Sequence, residues 1–126
     1  MMKRVLLIGL AGAMGAITRV LIGEFLIIES GFPVATLIVN IVGTFLLCLI
    51  VTGAFRKYNP NKSIDIAVTS GFLGSFTTFS AISLETMLLV EGGQIFMAGL
   101  YVGMSIIGGI GAGMLGFYLG RRKAKK

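Results

Sequence analysis

The stretch Gly71-Phe72-Leu73-Gly74-Ser75-Phe76-Thr77-Thr78-Phe79-Ser80 decides how this chain folds. It lies inside an apolar run long enough to cross a bilayer, yet it contains two glycines, two serines and two threonines. Polar or non-helical backbone is tolerated at membrane depth only where it is buried in protein or lines a wet cavity. Interrupted membrane helices of this kind expose oxygen atoms that hold ions. The stretch therefore predicts a break in a membrane helix and an ion-handling function.

The composition of the whole chain favours a membrane protein. The 126 residues are 56% hydrophobic, which leaves too little polar surface for a soluble domain. The length has room for one domain, so we interpret residues 1–126 as a single transmembrane domain. The charged start and the first apolar run resemble a signal peptide, but the run continues to Ile28. Because a cleaved signal is followed by a polar mature region, we expect a retained helix here.

Four stretches are long and apolar enough to cross the hydrocarbon core, which takes about 20 residues in a helix. The predicted helices cover residues 5–28, 33–55, 64–90 and 95–119. The connections between them are short, which makes neighbouring helices antiparallel. The predicted fold class is an all-α membrane protein with four transmembrane helices and a break in the third. Gly108, Ala112, Gly116 and Gly120 repeat at intervals of four, a spacing that permits close helix contact and suggests an oligomer.

Basic residues lie on one side of this predicted bundle. Ten of the eleven flank the spans on that side: Lys3, Arg4, Arg56, Lys57, Lys62, Arg121, Arg122, Lys123, Lys125 and Lys126. The positive-inside rule then places both termini and the second connection in the cytoplasm. The predicted location is the inner (cytoplasmic) membrane of the cell, with several passes through the bilayer. This placement argues against nucleic acid as a partner, and we interpret the basic C-terminus as a solvated tail near anionic lipid headgroups.

Several function classes are excluded by what the sequence lacks. There is no histidine, and no acid-base pair or activated nucleophile is recognisable, so we do not expect an enzyme. The single cysteine, Cys48, cannot form an intrachain disulfide and lies in an apolar run. Small multidrug transporters are another class of four-helix membrane protein. They need a carboxylate within the first helix, whereas Glu24 lies near the end of that helix here.

Three polar residues are costly at the depths where they lie. Arg19 interrupts the first span, where a charge costs about 2.5–3.5 kcal/mol. The Arg19 side chain either extends toward the membrane–water interface or forms an electropositive element near the entry of an anion pathway. Asn40, near the centre of the second span, offers two N–H donors to an anion, or else joins two helices. Glu85 must be paired, protonated or facing water, and Ser80 and Ser83 are candidates for one wet track with it.

Phe79 is a candidate anion contact because of its neighbours. It lies beside Thr77, Thr78 and Ser80, whereas a phenylalanine in a membrane helix usually faces lipid or the core. The edge of its ring is the positive end of the aromatic quadrupole. An anion therefore approaches the ring edge favourably where water is scarce. Such a site suits a small, hard anion better than a cation.

Three motifs, in the same order on three predicted spans, carry a resemblance to a known family. They run from Gly12 to Arg19, from Ala35 to Phe45 and from Gly71 to Ser80. On these residues the chain resembles the Fluc fluoride-specific ion channels, the CrcB family, over essentially its whole length. The resemblance implies an antiparallel, dual-topology dimer with two fluoride pathways. It also implies passive export that lowers the cytoplasmic concentration of fluoride.

The resemblance also assigns roles to individual residues. It implies that Asn40 contacts fluoride and that Phe79 presents its ring edge to the ion. Further positions along the fluoride pathway are Arg19, Ser80, Ile82, Glu85 and Tyr101. A structural sodium ion, central in the dimer and not transported, would be held by the backbone carbonyls of Gly74 and Thr77 from both subunits. Oxygen ligands are those that a hard cation prefers.

Two features depart from the family pattern. Where the family continues Thr-Thr-Phe-Ser-Thr-Phe, this chain has Ala81 and Ile82 at the last two positions. Isoleucine has no ring quadrupole, which puts one fluoride site per pathway in doubt. The ten-to-zero placement of basic residues predicts one fixed orientation, whereas dual topology needs a balanced distribution. The second subunit, in the opposite orientation, is then a second copy or an oppositely charged paralogue. The alternative function is a non-conducting or half-functional subunit of a heterodimeric fluoride channel.

Overall fold

Helices account for most of the chain. A computed structural model describes residues 1–27, 29, 31–55 and 57–126. The α-helices are α1 (Met2–Phe25), α2 (Val34–Leu49), α3 (Lys62–Ile66), α4 (Gly74–Phe76), α5 (Phe79–Glu91) and α6 (Ile95–Lys125). Two π-helical segments continue them, Ile50–Ala54 after α2 and Ala67–Leu73 between α3 and α4. Among the described residues there is no β-strand.

These elements form four helical stretches that are long and apolar enough to cross a membrane. They cover Met2–Phe25, Val34–Ala54, Lys62–Glu91 and Ile95–Lys125. The prediction of an all-α protein with four candidate spans is confirmed. Ile28, the predicted end of the first span, lies outside the described residues, and so does Arg56 of the second connection. The last helix continues past Leu119, so it includes most of the basic C-terminus.

The third span contains two residues with extended backbone. Thr77 has φ −78° and ψ 152°, and Thr78 has φ −151° and ψ 128°. The helix resumes at Phe79, where the Thr78 hydroxyl accepts a hydrogen bond from the Ala81 N–H at 3.2 Å. A threonine side chain in this role satisfies one of the backbone donors at the start of a helix. The extended pair therefore lies between α4 and a properly capped α5.

Glycines on α6 allow it to pack closely on the second span. A Cβ at Gly116 would lie 2.5 Å from the Phe45 carbonyl oxygen, and one at Gly120 would clash with the Thr52 hydroxyl. Three of the four residues in the predicted small-residue repeat, Gly108, Gly116 and Gly120, have such close neighbours on this span. The contact that they form therefore lies within one chain, not between subunits.

Glycines also allow the first span to pack closely on the third. A Cβ at Gly71 would lie 2.7 Å from the Ile8 carbonyl oxygen, and one at Gly15 would clash with the Phe72 carbonyl. Neighbours that are backbone atoms cannot rotate away as side chains do. Glycine at these positions is therefore required for α1 to lie against the segment that leads to Thr77.

The buried core is small and divided into two clusters. One contains Leu37, Leu89, Ala98 and Tyr101, and the other contains Val39, Leu73 and Phe76. Many large apolar side chains, including Leu10 and Ile107, are exposed in the single chain. Such extensive apolar exposure marks a surface that meets lipid or another subunit.

Apart from Arg19, the basic residues that the structure describes lie at one end of the bundle. Arg4 Nε donates to the Ser63 hydroxyl at 3.3 Å, which places the start of α1 beside the second connection. A Cβ at Gly53 would lie 3.9 Å from the Ala124 side chain, which places the end of α6 beside the end of the second span. The chain termini and the second connection therefore share one end.

The contact between α6 and the second span predicts unequal effects of two alanine substitutions. We expect Gly116→Ala to lower the free energy of unfolding by about 1–3 kcal/mol, because the new methyl group meets the backbone of Phe45. Gly111→Ala is the matched control on the same helix, since no atom lies within 4 Å of its added Cβ. Unfolding of both variants in detergent micelles measures the difference. Equal stabilities would contradict the packing described here.

Candidate functional site

The side chain of Asn40 binds the backbone of the extended pair. Its Nδ2 donates to the Thr78 carbonyl oxygen at 2.8 Å, and its Oδ1 accepts from the Thr78 N–H at 2.7 Å. Asn40 is half-buried on α2, 38 residues away in sequence. The sequence left two alternatives open, an amide whose N–H donors face an anion or one that joins two helices, and these hydrogen bonds join α2 to the third span. One of the two N–H donors is committed to the Thr78 carbonyl, which leaves one Nδ2–H for a ligand.

These two hydrogen bonds leave a nearby backbone carbonyl group without its usual partner in the helix. In a continuous helix the Thr78 N–H would donate to the Gly74 carbonyl, four residues earlier. Here it donates to Asn40 Oδ1. The Thr77 N–H and the Thr77 hydroxyl both donate to the Leu73 carbonyl, each at 3.0 Å. The Gly74 carbonyl has therefore lost its regular helical partner.

A polar cavity opens beside the extended pair. Its volume is about 430 Å³. The residues that line it come from α2, the third span and α6: Asn40, Thr44, Gly74, Thr77, Thr78, Phe79, Ile82, Ser105 and Gly109. Five of the site residues predicted from sequence are in this set: Asn40, Gly74, Thr77, Phe79 and Ile82. Thr44 and Ser105 were missed. Thr44 follows Asn40 by four residues, which indicates a shared face of α2, whereas nothing in the sequence indicates the face of α6 that Ser105 occupies.

Two phenylalanines of the polar stretch have different surroundings. Phe76 is 6% exposed and stacks on Phe72, with ring centroids 5.8 Å apart. Phe79 is 81% exposed and lies at the wall of the cavity. Phe76 therefore belongs to the core, whereas the ring of Phe79 is accessible to an ion or to a second subunit.

Ser80 and Ile82 extend the site along α5. The hydroxyl oxygens of Ser80 and Thr78 lie 3.1 Å apart. One hydrogen joins the two oxygens, so the second hydroxyl hydrogen remains for another acceptor. Ile82 lines the cavity and also packs against the core cluster that contains Tyr101. An apolar group thus occupies a wall that is otherwise rich in hydroxyls.

Glu85 and Tyr101 form a second polar group. Tyr101 donates its hydroxyl to Glu85 Oε2 at 2.6 Å, and the Thr36 hydroxyl donates to Oε1 at 2.7 Å. The Tyr101 side chain is fully buried, and its ring meets Phe32 edge-on at 5.7 Å between centroids. Glu85 is therefore paired with two hydroxyl donors, and it also lines a separate open cavity of about 210 Å³. Thr36 was missed, although it precedes Asn40 by four residues and so shares a face of α2 with it.

Arg19 stands apart from both polar groups. It is half-buried on α1, and no hydrogen-bond acceptor contacts its Nε. Arg19 is not among the residues that line the cavity beside Asn40. Within one chain, the structure therefore does not bring Arg19 together with the other predicted site residues.

Oxygen atoms dominate the groups that could hold a cation. No cluster of three or more histidine, cysteine, aspartate or glutamate side chains suited to a metal is found in the part of the chain that the structure describes. The cavity is lined instead by uncharged residues that carry backbone carbonyls, among them Gly74 and Thr77. Uncharged oxygen atoms are ligands that suit a hard monovalent cation better than a transition metal.

Comparison with known proteins gives a consistent match along the chain. The family described as "CrcB-like protein, Camphor Resistance (CrcB)" matches residues 6–117. A protein of Desulfitobacterium hafniense (strain Y51) named "Fluoride-specific ion channel FluC 1" is 40% identical over 111 residues, covering 88% of this chain and 97% of that protein.

Two further relatives are similar over nearly the full length. "Fluoride-specific ion channel FluC" of Oceanobacillus iheyensis is 40% identical over 118 residues, or 94% of this chain and 92% of the relative. "Fluoride-specific ion channel FluC 1" of Bacillus cereus (strain ATCC 10987 / NRS 248) is 39% identical over 125 residues, which cover 96% of this chain and 90% of that protein. With a family match over most of its length and relatives of this identity, the chain belongs to the CrcB family.

Proposed function

We propose that this protein is a fluoride-selective ion channel through which fluoride leaves the cytoplasm passively. The observation that carries the proposal is the polar cavity at the extended pair, where Asn40 binds Thr78 in the middle of an apolar span. The names of the relatives, which describe fluoride-specific ion channels, support the same function. Passive flow needs no energy source, and the sequence contains no nucleotide-binding motif.

The cavity offers donors that can replace the water around a small anion. The second Nδ2–H of Asn40 is one of them, and the Thr78–Ser80 hydroxyl pair at the edge of the cavity has one unshared hydrogen. Hydrogen bonds to an ionised acceptor are roughly twice as strong as those between neutral groups. Phe79 adds the positive edge of its ring at the cavity wall. Together these groups favour a small, hard anion, and none of them is a fixed charge that would trap it.

The direction of flow follows from acid chemistry and the membrane potential. Hydrogen fluoride crosses a bilayer as a neutral acid and dissociates in a more alkaline cytoplasm. A negative interior then favours exit of the anion by about 2.3 kcal/mol per charge per 100 mV. We therefore propose export. The accompanying location is the inner membrane, with both termini in the cytoplasm, because the basic residues share one end of the bundle.

We further propose an antiparallel dimer built around a structural sodium ion. The carbonyls of Gly74 and Thr77, from both subunits, would hold the ion. The Gly74 carbonyl suits this role because the Thr78 N–H donates to Asn40 instead. Sodium would supply positive charge between the two broken spans. The exposed Phe79 ring and the open cavity beside it are surfaces that a second subunit would cover.

The alternative function is a non-conducting or half-functional subunit of a heterodimeric fluoride channel. Ile82 favours this reading, because it places an aliphatic group in the cavity wall where the family pattern has a phenylalanine. The one-sided basic residues favour it as well, since a chain of fixed orientation needs a partner inserted the other way. That partner would be an oppositely charged paralogue.

Fluoride efflux from liposomes that contain only this chain tests the proposal. We expect fluoride release with chloride retained. Asn40→Asp should abolish the release, because aspartate cannot donate to the Thr78 carbonyl and its charge repels an anion. Asn59→Asp is the matched control: Asn59 lies outside the cavity and uses its side-chain oxygen as an acceptor for Asn61, which aspartate preserves. Equal fluxes from the two variants would refute a role for Asn40 in the pathway.

A substitution at Ile82 separates the two proposed functions. For a conducting chain, we expect Ile82→Phe to raise the rate of fluoride efflux by about two- to tenfold, since aromatic contacts contribute about 0.5–1.5 kcal/mol. For a non-conducting or half-functional subunit, the native chain alone shows absent or reduced efflux, and Ile82→Phe or a co-expressed paralogue restores it. Leu84→Phe adds the same ring at an exposed position and should change nothing. An unchanged rate in Ile82→Phe would mean that position 82 does not limit conduction.

Thermal unfolding in different salts tests the sodium site. We expect a higher Tm in sodium chloride than in N-methylglucamine chloride, because an ion that binds only the folded state stabilises it. At a concentration one hundred times its Kd, sodium would contribute about 2.7 kcal/mol. Potassium chloride at equal ionic strength is the control for the size of the cation. Identical Tm values in all three salts would count against a bound sodium ion.

A further inference from the structure

An open groove lies along one side of the C-terminal part of α6. Its volume is about 830 Å³. The residues that line it are Met114, Phe117, Tyr118, Arg121, Arg122 and Lys125. Met114, Tyr118, Arg121 and Lys125 repeat at intervals of three or four, with Phe117 and Arg122 beside them, so the set follows one side of the helix over about three turns. Neither the cavity beside Asn40 nor the proposed ion pathway includes any of them.

This side of α6 faces away from the rest of the bundle. The buried residues of the same region, Gly113, Gly116 and Gly120, point toward the second span. In contrast, Met114 is 68% exposed and Tyr118 is 62% exposed. The groove is therefore available to a molecule in the surrounding membrane.

The groove carries positive charge at one end. No aspartate or glutamate occurs anywhere on α6. Asp65 is the one acidic residue in the segments that form the basic end of the bundle, and it lies on α3. Three basic side chains in one groove, with no acidic side chain on their own helix, favour an anion from outside the chain.

The order of residues along the groove matches the depth profile of a phospholipid. The cations Arg121 and Lys125 lie toward the end of the span, where headgroups are found. Tyr118 comes next, and aromatic side chains of this type prefer the interface. Met114 lies about 10 Å deeper than Arg121 along the helix, at the level of the acyl chains. A soluble phosphate would use the cations but not the apolar part.

We propose that this groove binds one anionic phospholipid. Arg121, Arg122 and Lys125 hold the phosphate-containing headgroup, and the Tyr118 hydroxyl donates to it. An acyl chain lies along Met114 and Phe117. The site fixes the end of α6 at the membrane surface and does not take part in ion conduction.

The absence of tryptophan from the chain allows a direct test. Tyr118→Trp places the sole tryptophan in the groove and keeps an aromatic ring there. The full-length variant is reconstituted into phosphatidylcholine vesicles that contain a minor fraction of either brominated phosphatidylglycerol or brominated phosphatidylcholine. Bromine quenches tryptophan at short range, so we expect stronger quenching by the brominated anionic lipid. Phe117→Trp is a second reporter in the same groove, and Phe96→Trp, at the start of α6, is the reference position.

Matched charge variants distinguish binding of the lipid in the groove from a general attraction between basic residues and anionic lipid. Arg121→Gln with Lys125→Gln should lower the preference for the anionic lipid by about fivefold more than the control pair, since it removes direct contacts with the headgroup as well as the general attraction of about 1 kcal/mol per cation. Lys123→Gln with Lys126→Gln removes the same charge outside the groove, since neither residue lines it, and should lower the preference only by the general attraction. Equal quenching by the two lipids at both groove reporters, or an equal loss in the two charge variants, would overturn the proposal.

Discussion

The hydrogen bonds between Asn40 and the backbone of Thr78 are the interaction on which the site depends. An extended residue inside an apolar span leaves N–H and carbonyl groups that lipid cannot satisfy. The Asn40 amide satisfies one group of each kind at once, at 2.8 and 2.7 Å. This allows α4 to end and α5 to begin anew, with a hydroxyl-lined cavity between them. A side chain without both a donor and an acceptor would leave at least one buried backbone group unpaired.

Close backbone contact gives this thin bundle its shape. Glycines let α1 lie on the third span and α6 lie on the second, so the spans pack with little side-chain core between them. Because the core is small, much apolar surface stays exposed. The cavity beside Asn40 lies against one such exposed side chain, Phe79. A bundle of this kind is not a closed pore by itself. A second subunit, as we propose, would turn the open cavity into an enclosed pathway.

From the sequence, the polar residues inside the spans were recognisable, whereas their hydrogen-bond partners were not. Asn40, Glu85 and the polar stretch were recognisable because polar groups are expensive at membrane depth. Their partners were not, because Thr78 and Thr36 lie 38 and 49 residues away and are selected by how the helices align. For the same reason, Phe76 and Phe79 look alike in the sequence, yet one belongs to the core and the other is exposed. The glycine repeat of α6 indicated close packing correctly, but periodicity alone does not distinguish a contact within the chain from one between subunits.

The basic end of the molecule and the proposed antiparallel assembly impose opposite requirements. If both termini lie in the cytoplasm, the cations of α6 meet the anionic leaflet, where each contributes about 1 kcal/mol. A second copy inserted the other way would lose that attraction, and its basic groups would have to cross the bilayer against the membrane potential. The ten flanking basic residues make this penalty large for an identical partner and small for a paralogue with the opposite bias. In the heterodimer that we propose as the alternative, Ile82 would have the same consequence, since only a pair of different chains can keep one complete pathway while the other is lost.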